Sequence, residues 1–221
     1  MQTLRVHALF AGGISVIGDG GHRSGLRKQR REGAVWADGQ GMAGDEIVDL
    51  RSHGGPDRAL SLFAFEHYAD LQKMFPEAAE PLIAGSMGEN IVCQGGRDQD
   101  FFIGDIYRAG DVVFQISQPR SPCWKLNQRF GVPHLSKILQ EQHRAGCYAR
   151  VLTAGFMSAG QAITLQSRPA HSCSIAAFWE QVLCRRPDPA VLSALANTAG
   201  LAEEWRVRLT DRISWLEAQQ V

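Results

Sequence analysis

Of the five cysteines, at positions 93, 123, 147, 173 and 184, Cys123 alone lies in a segment built for thiolate chemistry: Gln118-Pro119-Arg120-Ser121-Pro122-Cys123-Trp124-Lys125-Leu126-Asn127. Two prolines stiffen a loop that follows a strand ending near Ser117, and the spacing predicts a short helix from Cys123 to Phe130. A thiol near a helix N-terminus, with Arg120 before it and Lys125 after it, is in a setting where positive charge and unpaired amides favour the anion. Such a thiolate attacks an electrophile or binds a soft metal. The other four cysteines are expected to be small buried hydrophobes. An odd count without a Cys-x-x-Cys pair argues against both a disulfide framework and a Cys-rich zinc site, and points to a reducing, cytoplasmic location.

Three further segments carry candidate ligands. His53-Gly54-Gly55-Pro56-Asp57-Arg58 follows the turn Gly41-Met42-Ala43-Gly44-Asp45. Paired glycines let backbone amides approach a ligand, His53 can donate, and an Asp57–Arg58 salt bridge would order the loop; a turn that merely stabilises itself has the same composition. In Gly88-Glu89-Asn90-Ile91, Asn90 offers a heterocycle both donor and acceptor. Arg23, Arg27, Lys28, Arg30 and Arg31 make a local basic run, either a solvated loop or an anion site. No aromatic residues interleave it, and 23 Lys and Arg balance 23 Asp and Glu over the chain, which disfavours nucleic acid as a partner. Gly18-Asp19-Gly20-Gly21 lacks the spacing of a dinucleotide loop.

The elements that must hold these residues are mostly short strands. The 221 residues suffice for one main domain and a small second unit. Apolar runs punctuated by glycine predict strands at 60–65, 90–93, 106–108, 112–117, 147–153 and 163–166, with a hairpin over 106–117. Helical spacing marks 66–75 and 132–143. Beyond Arg168 the pattern changes to three helices near 172–184, 188–197 and 201–218, the last with a stripe of Leu201, Trp205, Leu209, Ile213 and Leu216. No apolar stretch reaches the roughly 18 residues of a spanning helix, so neither a signal peptide nor a membrane anchor is expected.

The segment Ser117–Asn127 resembles the cysteine segment of YiiM-type MOSC proteins, in which the cysteine sulfur is a ligand of molybdenum carried by a pterin. His53–Leu60 with its preceding glycine turn, Gly88–Ile91, and Ser24-Gly25-Leu26-Arg27-Lys28 are similar to three further elements of that family, in the same order. The resemblance implies an α+β, mainly β fold with helices: a barrel-like MOSC domain over 1–168 and a three-helix C-terminal appendage over 169–221, whose apolar stripe and Pro-bounded onset suggest that it covers or shapes the substrate mouth without performing chemistry. It implies molybdenum cofactor (molybdopterin) in a cleft, Cys123 as catalytic metal ligand, and Lys28, His53, Asn90, Arg120 and Lys125 as cofactor-binding residues, Lys28 on the phosphate. It implies reduction of N-hydroxylated purines and related hydroxylamines to amines; because the sequence shows no flavin or nicotinamide fingerprint, electrons are expected from a flavoprotein, and a monomer or homodimer is expected. The competing expectation is a carrier in which Cys123 holds a persulfide or delivers the cofactor.

Overall fold

The computed structural model describes residues 3–18 and 20–219; Asp19 of the glycine-rich stretch and the outermost residues of both expected domains lie outside it. The chain begins with six strands, β1 (Arg5–Ala11), β2 (Ser15–Ile17), β3 (His22–Ser24), β4 (Gln29–Arg31), β5 (Ala34–Asp38) and β6 (Gly41–Met42), followed by helix α1 (Leu50–His53) and a 3-10 turn, Pro56–Arg58. Next come β7 (Leu60–Ala64), α2 (Glu66–Met74), β8 (Ile91–Gln94), β9 (Ile106–Ala109), β10 (Val112–Pro119), α3 (Lys125–Phe130) and α4 (Leu135–Glu141). The chain then forms β11 (Cys147–Thr153), β12 (Gly155–Ser158), β13 (Thr164–Ser167), α5 (Ile175–Leu183), α6 (Pro189–Ala196) and α7 (Glu203–Ala218).

Eight strands form one sheet in the order β13-β9-β10-β11-β7-β8-β1-β4. Its neighbours are antiparallel except β7 and β8, which run parallel because α2 carries the chain across between them. The β1 backbone also reaches the segment entering β13, with Val6 N donating to Gln161 O at 2.9 Å and Ile163 N to Leu4 O at 2.8 Å. These bonds curl the sheet into the half-barrel of the expected α+β class.

Both faces of the central strands are covered. Leu60, Leu62, Ile91 and Cys93 face one core, while Phe63 and Val92, alternating with them, face the other. The second core is closed by Tyr68 and Leu71 of α2, Leu126 and Phe130 of α3, and Leu135 and Leu139 of α4. All five residues of β7 are consequently buried.

The three C-terminal helices are where the sequence placed them. Ser174 and Asp188 cap α5 and α6 by accepting from Ala177 N and Ala190 N, and Pro189 begins α6 without losing a bonded amide. Along the α7 stripe, Leu201, Trp205 and Leu209 are buried, and Ile213 and Leu216 lie half-buried against the same core as the sheet. Trp205 meets Phe178 and Trp179 edge-on, with ring centroids 5.1 and 5.5 Å apart. Burial of such side chains contributes about 1.5–3 kcal/mol each, so the helices are docked on the sheet.

Two local expectations are corrected, the Asp57–Arg58 pair and the burial of all four other cysteines. Asp57 and Arg58 do not pair with each other: Asp57 accepts from Arg150 Nε at 2.7 Å, and Arg58 reaches Glu204 on α7. Gly54 and Gly55 serve the turn, since Gly54 N donates to Leu50 O at 3.1 Å and Gly55 adopts φ +94°. Among the cysteines expected to be buried, Cys93 and Cys147 are, with thiol pKa values pushed up by burial. Cys173 is half-buried, its thiol raised to about 11 chiefly by desolvation, and Cys184 is exposed.

A buried polar node links the fold to the loop bearing Cys123. The carboxylate of Asp98 accepts from His67 Nε2 at 2.8 Å, Ala145 N at 3.1 Å and Gly146 N at 2.9 Å. Gly146 O in turn accepts from Arg120 N at 3.0 Å. Asp98→Asn keeps an acceptor but loses the charge that strengthens these bonds, so it should cost about 1–2 kcal/mol in denaturant unfolding.

Candidate functional site

The loops at one end of the central strands enclose a cleft of about 670 Å³, counting its open mouth. Each expected ligand comes from a different piece of chain: Lys28 from the loop between β3 and β4, His53 from the end of α1, Asn90 from the entry to β8, and Arg120, Cys123 and Lys125 from the stretch joining β10 to α3. All six line this one cleft. Close backbone approach shapes it. A Cβ on Gly25 would stand 2.3 Å from Glu46 O, so only glycine lets the Ser24–Lys28 loop approach the segment after Asp45.

The polar groups divide into those engaged within the protein and those that are not. Lys28 and Asp45 form a buried ion pair, with side chains 6% and 7% exposed. Asp45 also accepts from Asn90 Nδ2 at 2.8 Å and from Gly12 N at 3.1 Å. Burial lowers the Lys28 pKa from its ordinary value, and the adjacent Asp45 opposes that shift. The Asn90 amide is committed as well: Oδ1 accepts from Ser61 N at 3.0 Å and Ser61 Oγ at 2.9 Å, and Nδ2 also donates to Phe10 O. Asn90 and Lys28 thus fix the cleft wall through Asp45, a residue whose part as buried counter-ion the sequence did not assign.

Arg120 differs. It is 6% exposed and donates to the Met87 carbonyl. Among the described residues neither it nor Lys125 lies within 4 Å of a carboxylate. Lys125 Nζ donates to Arg23 O at 2.7 Å. A buried guanidinium lacking a counter-ion is costly unless an anion completes it, so Arg120 and Lys125 make this wall anion-seeking. The half-buried thiol of Cys123 sits between them in sequence, on the loop; helix α3 begins two residues later, with Trp124 as its N-cap. Among the described residues no three His, Cys, Asp or Glu side chains could hold a metal by themselves. A soft donor beside unpaired cations suits an anionic organic ligand that brings its own metal.

His53 completes the cleft. Its pKa is lowered from 6.5, first by burial and then by the Arg120 charge, which keeps the imidazole neutral at pH 7 and able to donate or accept. The unfolded chain therefore binds this proton at higher pH than the folded one. That coupling costs stability as pH falls below 6.5, and the loss levels off below the folded value. An NMR titration should place the His53 midpoint below 6.5, and Arg120→Gln should move it upward; an unshifted midpoint in both proteins would contradict this electrostatic account.

A second cavity of about 1250 Å³, counting its mouth, adjoins the first and shares Asp49, His53, Arg58, Ser121, Cys123 and Tyr148 with it. Glu204, Trp205 and Arg208 of α7 form part of its lining. Trp124 and these α7 residues were not anticipated as site residues. The α7 contribution comes from 146 residues beyond Arg58, a separation without a local sequence signal.

The MOSC domain model matches residues 49–164. Protein YiiM of Escherichia coli (strain K12) is 34% identical over 188 residues, covering 84% of this chain and 82% of that protein. A Gibberella moniliformis (strain M3125 / FGSC 7600) protein named Reductase is 38% identical over 147 residues, covering 66% of this chain and 26% of that one. The crystal structure of YiiM from Geobacillus stearothermophilus superimposes with a TM-score of 0.81 at 27% identity, covering 95% of this chain and 99% of the other.

Proposed function

The chain belongs to the MOSC domain family, and from that membership and the chemistry of its cleft we propose that it is a molybdenum-cofactor-dependent reductase that converts N-hydroxylated bases and related hydroxylamines to amines. The observation that carries the proposal is the convergence of the Cys123 thiol with Arg120, a buried cation with no carboxylate within 4 Å among the described residues. The similarity to a protein named Reductase agrees with redox chemistry.

In this account Cys123 supplies the protein's sulfur ligand, Arg120 and Lys125 meet the negative charge of the pterin phosphate in place of Lys28, which is engaged by Asp45, and His53 stays neutral at the reacting end. Lys28, Asp45 and Asn90 hold the wall in register. The bound cofactor would supply a two-electron centre able to take oxygen from nitrogen. In the net reaction the N–O bond breaks, the nitrogen becomes an amine, and the oxygen leaves as water; two electrons come from a flavoprotein reductase and two protons from solvent. His53 is positioned to hand on one of those protons. No helix among the described residues is long and apolar enough to cross a membrane.

The test is expression in a cofactor-competent host, with molybdenum and pterin measured per chain and hydroxylaminopurine turnover measured with a flavoprotein donor. Near-stoichiometric metal and reductase-coupled turnover are expected. A cyanide-labile sulfur on Cys123 in metal-free protein would replace the enzyme with a sulfur carrier.

A further inference from the structure

Beyond the residues it shares with the first cleft, the second cavity is lined in part by Arg51, Trp124, Glu204 and Arg208, which cofactor binding does not explain. Glu204 of α7 holds two guanidinium groups at once, Arg58 from the 3-10 turn and Arg208 one helical turn along. One carboxylate shared between two cations leaves a net positive charge on this wall. Arg51 adds another, set against Asp49, whose carboxylate already accepts from the Arg51 and Ser52 amides of α1. Arg208 remains 56% exposed toward solvent. At the other end, beside Cys123, the Trp124 ring is 49% exposed and braced edge-on by His22 at 4.9 Å. An aromatic face next to the thiol and a cationic wall on α7 thus lie in one cavity.

We propose that this cavity is the substrate chamber and that it takes an N-hydroxylated heteroaromatic base bearing an anionic group, as in a nucleoside 5′-monophosphate, in preference to the free base. The base lies against Trp124 near Cys123, and the phosphate faces Arg208 and Arg58. Aromatic stacking is tolerant of base identity, whereas arginine recognises phosphate oxygens in pairs. Selection therefore acts on the phosphate, and α7 is the element that exercises it. This inference rests on the reductase function proposed above.

The test reads binding as well as turnover, using cofactor-loaded protein and calorimetry with adenine, adenosine and adenosine 5′-monophosphate as product-like probes. The monophosphate should bind about tenfold more tightly than adenosine. Arg208→Glu should erase that ratio, and Arg208→Lys, which keeps the charge but loses the paired donors, should retain only part of it. Equal affinities in the wild type would overturn the proposal. So would a phosphate preference that survives Arg208→Glu and disappears in Arg120→Ala, because the anion would then sit in the first cleft. Holoenzyme that shows the Arg208-dependent preference yet reduces no hydroxylamine would refute the reductase function and leave the nucleotide chamber standing.

Discussion

Cys123→Ser is expected to fold normally and to lose hydroxylamine reduction by more than about 100-fold, beyond the 10–100-fold that loss of a residue merely supporting a metal ligand typically costs. The thiol is half-buried on a loop and outside both hydrophobic cores, so exchanging sulfur for oxygen should change stability by no more than about 0.5 kcal/mol. Serine keeps a donor of similar shape but is a hard, weakly acidic ligand for a soft metal site. Thermal unfolding and turnover measured on the same preparation separate the two effects. Wild-type turnover in this variant would remove the thiolate from the mechanism.

The second large effect is expected at a residue that touches no reacting atom. Asp45→Ala should destabilise the protein by about 3–5 kcal/mol, because it leaves the Lys28 ammonium buried without its partner. For a chain of this size that corresponds to a fall of roughly 10 °C in Tm. The same change frees Asn90 Nδ2 and the Gly12 amide, so the cleft wall should loosen and molybdenum per chain should drop at temperatures where the variant is still folded. The double variant Lys28→Met/Asp45→Leu removes both charges and should recover much of the stability. If Asp45→Ala unfolds like the wild type, the pair is not the structural tie described here.

Legibility of the fold followed the range of the interactions that hold each element. The hairpin of β9 and β10 was readable because its alternation and the Gly110 turn are local, and the α7 stripe because a helix repeats every few residues. The small N-terminal strands were not readable. Gln29–Arg31 is entirely polar and is a strand only because its backbone pairs with Leu9–Ala11 of β1. The basic run around it also does not form a common charged face. Arg27 pairs with Glu80, Lys28 with Asp45 and Arg30 with Glu32, while Arg31 donates to Gly44 O.

Among the residues that line the cleft, those carried by compact motifs, Cys123, Arg120 and His53, could be named from sequence. Partners fixed only by tertiary contact could not. Asp45 was visible as a turn residue and hidden as a counter-ion, and Arg58 was given its neighbour Asp57 when the fold supplied Glu204 instead. The same contact explains why α7 bears on the site: one residue of the helix holds the loop that follows His53.

The central claim is that molybdenum is held in the cleft through the sulfur of Cys123. X-ray absorption at the molybdenum edge, on cofactor-loaded wild-type and Cys123→Ser proteins, tests it most directly. The account predicts that the variant's spectrum lacks one sulfur neighbour present in the wild type, with the remaining ligands preserved. Identical sulfur coordination in the two proteins, at equal metal content, would contradict it.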